Sequence, residues 1–236
     1  MPGVSRKKDM KMKRVISIIL ACSLVLALCA ACGTKKEEAP APAPAADEPK
    51  EPEVIVGGWS IVEDTTPTDK ANAALEKALE KLVGANYEAV ALLETQVVAG
   101  TNYLLLCKIT PVVPNPSSHY GIVSIYADLQ GNAEITQVVD TDFSIPSEVM
   151  PGGWYEAVYD ADDDTKAIVE NAASKLVGAK YEAVVHVAEQ VVAGKNHVIL
   201  CRITPVVPNA QYSYGLVEIY EDLQGNCEIT DVHEFQ

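Results

Sequence analysis

The sequence predicts the α+β class, as two tandem domains that each pack one α-helix on an antiparallel meander sheet of four to five strands. Three observations support this. The pentapeptide Gln-Val-Val-Ala-Gly at 96–100 returns letter for letter at 190–194, an offset of 94 residues. Gly-Gly-Trp opens both copies, at 57–59 and 152–154. In each copy one apolar stripe of helical period precedes four apolar runs of strand character, and such a stripe must be buried on one face of the sheet.

The chain of 236 residues opens on a leader. Residues 1–14 are basic and residues 15–31 form an apolar run, which together predict a signal peptide over 1–31. The tetrapeptide Ala-Ala-Cys-Gly at 30–33 resembles the lipobox of bacterial lipoproteins. This resemblance implies that Cys32 is lipidated and that the protein is exported and held at the extracellular face of a bacterial cell membrane by a lipid anchor. An uncleaved membrane anchor and ordinary secretion are the alternatives.

An Ala/Pro-rich linker is predicted at 32–53. From 33 to 53 no apolar side chain is larger than alanine, so this segment cannot contribute to a hydrophobic core. Alternating proline favours extended polyproline II backbone. The repeats that follow are assigned to a first domain at 54–143 and a second domain at 148–236.

Each repeat contains one predicted helix. In the first repeat, Thr66 is a suitable N-cap and Pro67 suits the first helical position. In the second repeat, the acidic run at 160–164 supplies favourable charge at the helix N-terminus and lacks the alternating ligands of a calcium loop. Gly84 and Gly178 are predicted C-caps. The apolar faces consist of Ala74, Leu75, Ala78, Leu79 and Leu82, and of Ile168, Val169, Ala172, Ala173 and Leu176.

Four strands are predicted after each helix. In the first repeat they cover 87–98, 103–113, 121–126 and 133–139, with equivalents 94 residues later. The first two form a hairpin at Ala-Gly, because glycine adopts positive φ easily whereas the flanking valines prefer extended backbone.

Composition and motifs exclude several function classes. The formal net charge of −15 would repel nucleic-acid phosphates, so no nucleic-acid partner is predicted. No nucleophile elbow, phosphate loop or zinc-ligand spacing is present, so the sequence predicts no enzyme, no cofactor and no metal. No histidine is duplicated at the equivalent position of the other repeat: His119, His186, His197 and His233. The repeats contain Cys107, Cys201 and Cys227, an odd number that cannot all pair within one chain. Cys107 and Cys201 stand at equivalent positions and are predicted to be buried free thiols.

The order of Gly-Gly, a helix and Gln-Val-Val-Ala-Gly between two strands resembles the cystatins, which inhibit papain-like cysteine proteases. The match is closest to the stefin branch, which lacks disulfides, and the stretches at 96–103 and 150–153 resemble stefin sequences. The resemblance covers nearly all of 54–236, as two tandem cystatin-like domains. It implies a reversible inhibitor, with papain-like proteases as partners, that blocks the active-site cleft without presenting a scissile bond.

The resemblance also implies a three-part wedge in each repeat. The segment at the glycines would lie in the non-primed subsites, the pentapeptide hairpin would enter the cleft, and the last hairpin would touch the primed side. In the first repeat these parts map to Val56, Gly57, Gly58, Gln96, Val97, Val98, Ala99, Gly100 and Leu129. In the second repeat they map to Gly152, Gly153, Gln190, Val191, Val192, Ala193, Gly194 and Leu223. Many cystatins have Pro-Trp in the last hairpin, so leucine here implies weaker or more selective inhibition.

Three further expectations concern the alternative function, the oligomeric state and the access to the second wedge. A repeated turn can serve folding alone, so the alternative function is a non-inhibitory surface binding or adhesion module. The hinge for domain swapping in cystatins lies in the first hairpin, so the resemblance also allows a domain-swapped dimer. The short segment at 140–149 would bring the first repeat close to the second wedge, which predicts that the second wedge is partly obstructed.

Overall fold

The computed structural model describes residues 57–146, 148 and 150–235, and the leader and linker predictions lie outside this part of the chain. The described residues belong to one compact unit, Lys50–Gln236. We call 57–146 the first half and 150–235 the second half. The first half contains β1 (Trp59–Ile61), α1 (Asp69–Leu79), β2 (Ala85–Val98), β3 (Gly100–Pro111), β4 (Ser117–Ala127) and β5 (Ala133–Pro146). The second half contains β6 (Trp154–Asp160), α2 (Asp163–Ala173), β7 (Ala179–Val192), β8 (Gly194–Pro205), β9 (Ser213–Glu221) and β10 (Cys227–Glu234).

Each half forms one five-stranded antiparallel sheet. The spatial order of the strands follows the chain, β1 to β5 in the first sheet and β6 to β10 in the second. The predicted α+β class is wrong, because the structure is mostly β, with 56% strand and 12% helix. The strands are longer than the predicted apolar runs: β5 continues to Pro146, whereas the prediction stops at 139. Ladder pairing with β4 extends this strand through 140–146, where Phe143 and Ile145 alternate with polar residues and are buried in the contact with the second sheet.

Both helices are short, with 11 residues each. The first begins after Thr68, whose side-chain oxygen accepts a backbone hydrogen bond at 3.2 Å, and not after the predicted cap Thr66. The second begins after Asp162, which accepts the corresponding bond at 2.8 Å. The helices end at Leu79 and Ala173, well before Gly84 and Gly178, which instead stand at positive φ where the chain enters the next strand. The predicted glycine C-caps are therefore wrong.

One face of each sheet is covered by the helix of its own half. In the first half, Ala74 and Leu75 of α1 pack with Leu92 of β2, Leu105 of β3 and Val123 of β4. In the second half the matching contacts join the helix to β8 and β9, and they involve Val169, Ala172, Ile199, Val217 and Ile219. Each helix thus stabilises its sheet by burying its apolar stripe, as the sequence predicts.

The opposite faces of the two sheets pack on each other and form what we call the central core. Leu105 belongs to the helix side and its neighbour Leu106 to the central core, and both are fully buried, because successive side chains of a strand point to opposite faces. The molecule is therefore layered as helix, sheet, sheet and helix. The central core contains Ala91, Leu93, Leu106, Tyr120, Ile122, Phe143 and Ile145 of the first half, and Val185, Val187, Ala188, Val198, Leu200 and Leu216 of the second.

Contacts across the central core show the relative direction of the two sheets. The carboxylate of Glu94 is buried, and it accepts hydrogen bonds from the hydroxyls of Tyr212 at 2.8 Å and Tyr214 at 3.0 Å. Glu94 lies near the first pentapeptide, whereas the two tyrosines lie at the end of the second sheet that is farthest from the second pentapeptide. At the other end, Trp154 packs edge-on against Phe143, with ring centroids 5.4 Å apart. The two pentapeptide hairpins thus lie at opposite ends of the sandwich.

The cysteines of the described residues are all free thiols. Cys107 and Cys201 are free and buried, which confirms the predicted thiols, and Cys227 is free and buried as well. Burial raises the pKa of Cys107 to about 12, so this thiol stays protonated and unreactive at neutral pH.

Neither helix in the described part of the chain is long and apolar enough to cross a membrane.

The contact between Tyr214 and Glu94 yields a stability prediction. Burial and the adjacent carboxylate raise the pKa of Tyr214, so its hydroxyl remains a donor. We expect Tyr214→Phe to lower the free energy of unfolding by about 1–3 kcal/mol, because a buried carboxylate loses one of its two donors. Urea unfolding followed by tryptophan fluorescence measures this change. The matched control is Tyr220→Phe, which removes an exposed hydroxyl at a hairpin tip, and an equal effect of the two substitutions would contradict the expectation.

Candidate functional site

Glycine makes the first pentapeptide hairpin possible. The chain reverses at Ala99, with Val98 paired to Gly100 in the ladder. Gly100 has φ of +136°, and a Cβ built there would overlap the carbonyl oxygen of Ala127 and lie 2.9 Å from Tyr126 Cε2. Glycine is therefore required both by its backbone conformation and by the close approach of β4.

Three side chains hold this hairpin and the segment beside it. Tyr126 Oη donates a hydrogen bond to the carbonyl oxygen of Ala99 at 2.6 Å. Gln96 Nε2 donates to the carbonyl oxygen of Gly57 at 3.0 Å, and Asn102 Nδ2 donates to Gln96 Oε1 at 2.6 Å. The glutamine therefore holds the Gly-Gly segment against the hairpin, a role that the five-letter motif alone does not reveal.

The Gly-Gly segment and the last hairpin lie beside this tip. The backbone N–H of Gly57 donates to the carbonyl oxygen of Val97 at 3.2 Å. Thr101 pairs with Ala127, which stands immediately before the turn between β4 and β5. In that turn Asp128 accepts backbone hydrogen bonds from Gln130 at 2.9 Å and from Asn132 at 2.8 Å. The bonds from Asn132 hold the pKa of Asp128 below its ordinary value, so the turn is fixed by a carboxylate that stays ionised.

We call these three segments the first edge: Gly57–Gly58, Gln96–Gly100 and residues 128–132. The structure brings all of its described members to one end of the first sheet, including Gly58 and Leu129. The predicted residues Val56 and Cys32 lie outside the described residues.

The second half repeats this arrangement at what we call the second edge, residues 152–153, 190–194 and 222–226. Gln190 Nε2 donates to the carbonyl oxygen of Gly152 at 2.8 Å, and Tyr220 Oη donates to that of Ala193 at 2.6 Å. A Cβ on Gly194 would overlap the carbonyl oxygen of Glu221. The second edge therefore rests on the same side-chain contacts as the first, but the main-chain bond from Gly57 to Val97 has no counterpart among its described residues.

Exposed apolar side chains line both edges. Val97 and Val98 are 42% and 41% exposed, and Val191 and Val192 are 57% and 43% exposed. Leu129 and Leu223 each have 78% of their surface exposed. Apolar side chains on rigid turns favour docking into a groove of a partner, since little conformational entropy is lost when they bind. No protein-family model matches this chain, and no curated protein matches it significantly.

The two edges differ in how their first strand is anchored. Trp59 is 42% exposed, whereas Trp154 packs against Phe143 in the central core. The N–H of Gly153 also donates to the carbonyl oxygen of Met150 at 2.8 Å, which closes a turn just before β6. The first half thus contacts the base of the second edge, as the short connecting segment predicts. The hairpin tips of the second edge nevertheless remain at least as exposed as those of the first, so the predicted obstruction does not reach them.

Residues outside the motif support both edges and were missed in the sequence. They are the tyrosine and asparagine that brace each hairpin and the aspartate that closes each last turn. The sequence contains a signal that could have identified them, because each is identical in both repeats at the offset of 94 residues. The pairs are Asn102 and Asn196, Tyr126 and Tyr220, and Asp128 and Asp222.

The close approach of β4 to Gly100 yields a second stability prediction. We expect Gly100→Ala to lower the free energy of unfolding by about 1–3 kcal/mol, because the new Cβ is strained at positive φ and overlaps the backbone of β4. Chemical denaturation measures the loss. Gly131→Ala is the matched control, because Gly131 also has positive φ but no atom within 4 Å of the new Cβ. A loss in Gly100→Ala no larger than in the control would contradict the role of close approach.

Proposed function

We propose that this protein is a reversible inhibitor of papain-like cysteine proteases, in which each edge enters the active-site cleft of one protease. The observation that carries the proposal is the convergence of three segments at one end of each sheet. These are the segments that the resemblance to cystatins implies as the inhibitory wedge. Their valine and leucine side chains are exposed and available to contact a cleft.

The chemistry of the edges suits blockage of a cleft and not a reaction within it. The hairpin offers apolar side chains and main-chain groups, and Gly100 keeps its tip narrow. Hydrogen bonds from Gln96 and Tyr126 hold the tip in one conformation, so docking costs little ordering entropy. Leu129 presents less area than the tryptophan of many cystatins, so in this proposal the last hairpin contributes less affinity.

The proposal includes a location for the inhibitor. The lipobox-like tetrapeptide supports lipidation of Cys32 and attachment to the extracellular face of a bacterial membrane. The Ala/Pro-rich linker at 32–53 would then separate the two edges from the membrane surface, because extended proline-rich backbone rises about 3.1 Å per residue.

The opposite positions of the two edges bear on stoichiometry. Strands β3 and β8 contain 12 residues each, so each sheet spans about 40 Å from end to end. Two proteases that bind at opposite ends would not compete for the same space. In this proposal one chain therefore inhibits two protease molecules at once.

Titration of papain with the purified chain tests the proposal. We expect inhibition at submicromolar concentration with an end point of two papains per chain. Val97→Asp should remove one of the two equivalents, because a charged side chain at the tip is unfavourable in an apolar cleft. Val97→Asp combined with Val191→Asp should weaken inhibition by about 100-fold or more.

Val83→Asp and Val177→Asp are the matched controls for these variants. Both valines are almost fully exposed, and they lie just before β2 and β7, at the end of each sheet away from its edge. They should leave inhibition unchanged. If the wild-type chain fails to inhibit papain at micromolar concentration, the inhibitor proposal is wrong and the non-inhibitory binding or adhesion module is favoured. The absence of an aromatic anchor beside Leu129 is the observation that favours this second candidate.

A further inference from the structure

The helix side of the second sheet contains a buried polar cluster that the first half lacks. His186 and His197 stand at the positions of Leu92 and Tyr103, which belong to the apolar core under α1. The two imidazoles are 1% and 2% exposed. Their rings contact each other edge-on, with centroids 5.3 Å apart. Glu189 lies beside them, at the position of Thr95.

Most of the imidazole nitrogens in this cluster lack hydrogen bonds. Neither Nδ1 nor Nε2 of His186 has a partner among the described residues, and neither does Nδ1 of His197. A buried polar group without a partner costs about 1–3 kcal/mol, so native structures rarely leave several together. A bound cation would satisfy one nitrogen of each imidazole through its lone pair.

A β-bulge brings the three side chains to one face of the sheet. His186 and Glu189 are three residues apart, a spacing that places side chains on opposite faces of a regular strand. The register of β7 against β8 shifts between His186 and Ala188, and this extra residue turns Glu189 back to the helix side. Glu189 is paired directly with His197 across the ladder. The hairpin of β7 and β8 thus supplies all three groups.

The distances within the cluster suit a small cation. One ligand atom from each of His186, Glu189 and His197 lies within 4.8 Å of the other two. The gap between His186 Nε2 and Glu189 Oε1 is 3.7 Å. Tetrahedral zinc with ligands at about 2.0–2.2 Å requires ligand atoms about 3.3–3.6 Å apart, so small side-chain rotations close the site.

Neighbouring residues orient these groups in the way that metal ligands are usually held. Glu221 Oε2 lies 3.1 Å from His197 Nε2, which leaves Nδ1 of that imidazole as the free ligand atom. Tyr155 Oη donates to Glu189 Oε2 at 2.6 Å, and Tyr159 Oη donates to its Oε1 at 3.3 Å. These contacts restrict the positions of one imidazole and the carboxylate.

The charges around the cluster favour a divalent cation. Three carboxylates, those of Glu189, Glu221 and Asp162, line the same cleft beside the two imidazoles. Lys195, whose Nζ lies 3.6 Å from Glu189 Oε2, is the one cation in contact with this carboxylate among the described residues.

A cleft gives access to the cluster from solvent. It has a volume of about 430 Å³ and is lined by residues of α2 and of β6 to β10, including Tyr159, Glu189, His197 and Glu221. A hydrated ion therefore has a route to Glu189 and His197, whereas His186 does not line the cleft. Water in the cleft can fill a fourth coordination position.

We propose that the second half binds one zinc ion through His186, Glu189 and His197. Two imidazoles and one carboxylate are a donor set that zinc accepts in proteins. The proposal is independent of protease inhibition, because the cluster lies on the helix side of the sheet and its three ligands are not among the exposed tips of the second edge. Cross-linking of β7 to β8 by the ion would stabilise this hairpin.

Zinc titration of the metal-stripped full chain, in competition with a chromophoric chelator, tests the proposal. We expect one equivalent of Zn²⁺ to bind with a Kd of about 1 μM or below, and the melting temperature to rise with it. His186→Leu and His197→Tyr install the residues of the first half and should weaken binding at least about 100-fold each. His119→Ser, which installs the residue of the second half at a histidine outside the cluster, should not change it.

Glu189→Gln keeps the size of the side chain and removes its charge, so it tests the site even if a histidine variant fails to fold. We expect it to weaken zinc binding by about 10-fold or more. Co²⁺ in place of Zn²⁺ should give the visible absorption of a four-coordinate ion. The proposal is overturned if the wild-type chain binds no stoichiometric zinc, or if Glu189→Gln and His119→Ser bind it equally well. Papain titration of the same preparations reports inhibition separately, so failure of one proposal is distinguishable from failure of the other.

Discussion

The packing of the two sheets against each other is the constraint on which the rest of the structure depends. One helix covers only one face of each sheet, and the opposite faces carry large apolar side chains such as Leu93, Leu106 and Leu200. In an isolated half these side chains would form an exposed apolar patch, which soluble monomers rarely tolerate. Each half instead buries the open face of the other. Internal duplication thus supplies the second layer that a single repeat lacks.

This burial determines where the molecule is able to meet partners. Strands β3 and β8 are covered on both faces along most of their length, so the ends of the sheets carry the exposed apolar residues that are held rigidly. At the first edge, Gln96 ties the hairpin to the Gly-Gly segment, and Tyr126 ties it to β4. The same contacts recur in the second half at the opposite end of the sandwich. In many proteins a rigid scaffold positions binding groups that lie in its turns and loops.

Much of the local structure was predictable from the sequence, because it depends on chemistry within a few residues. The hairpin at Ala99 and Gly100 follows from glycine between β-branched residues, and the repeat offset reveals its partner in the second half. The helix start was displaced, since Thr66 and Thr68 are both acceptable N-caps and only tertiary contacts choose between them. The fold class was wrong because pattern does not reveal how far ladder pairing extends a strand such as β5.

The central core was not predictable from the pattern alone. A run such as Leu104-Leu105-Leu106-Cys107 indicates a strand buried on both faces, but it does not say what covers the second face. The candidate edges were found because their residues are contiguous and repeated. The residues that brace them, Asn102 and Tyr126, were missed because they lie outside the pentapeptide and their role appears only when the sheet is assembled.

The histidine cluster shows why linear spacing fails at a bulged strand. A search for ligands at regular intervals assumes an unbroken alternation of side chains, and the bulge in β7 shifts that alternation by one residue. Comparison of the two halves is more informative than spacing. The positions of Leu92 and Tyr103 meet under the first helix, and both carry histidine in the second half, where the rings are again in contact. The two histidines leave the packing between the sheets intact, because the side chains of the second sheet that belong to the central core lie on its opposite face. The duplicated fold thus leaves one helix-side core free to diverge while the other face maintains the assembly.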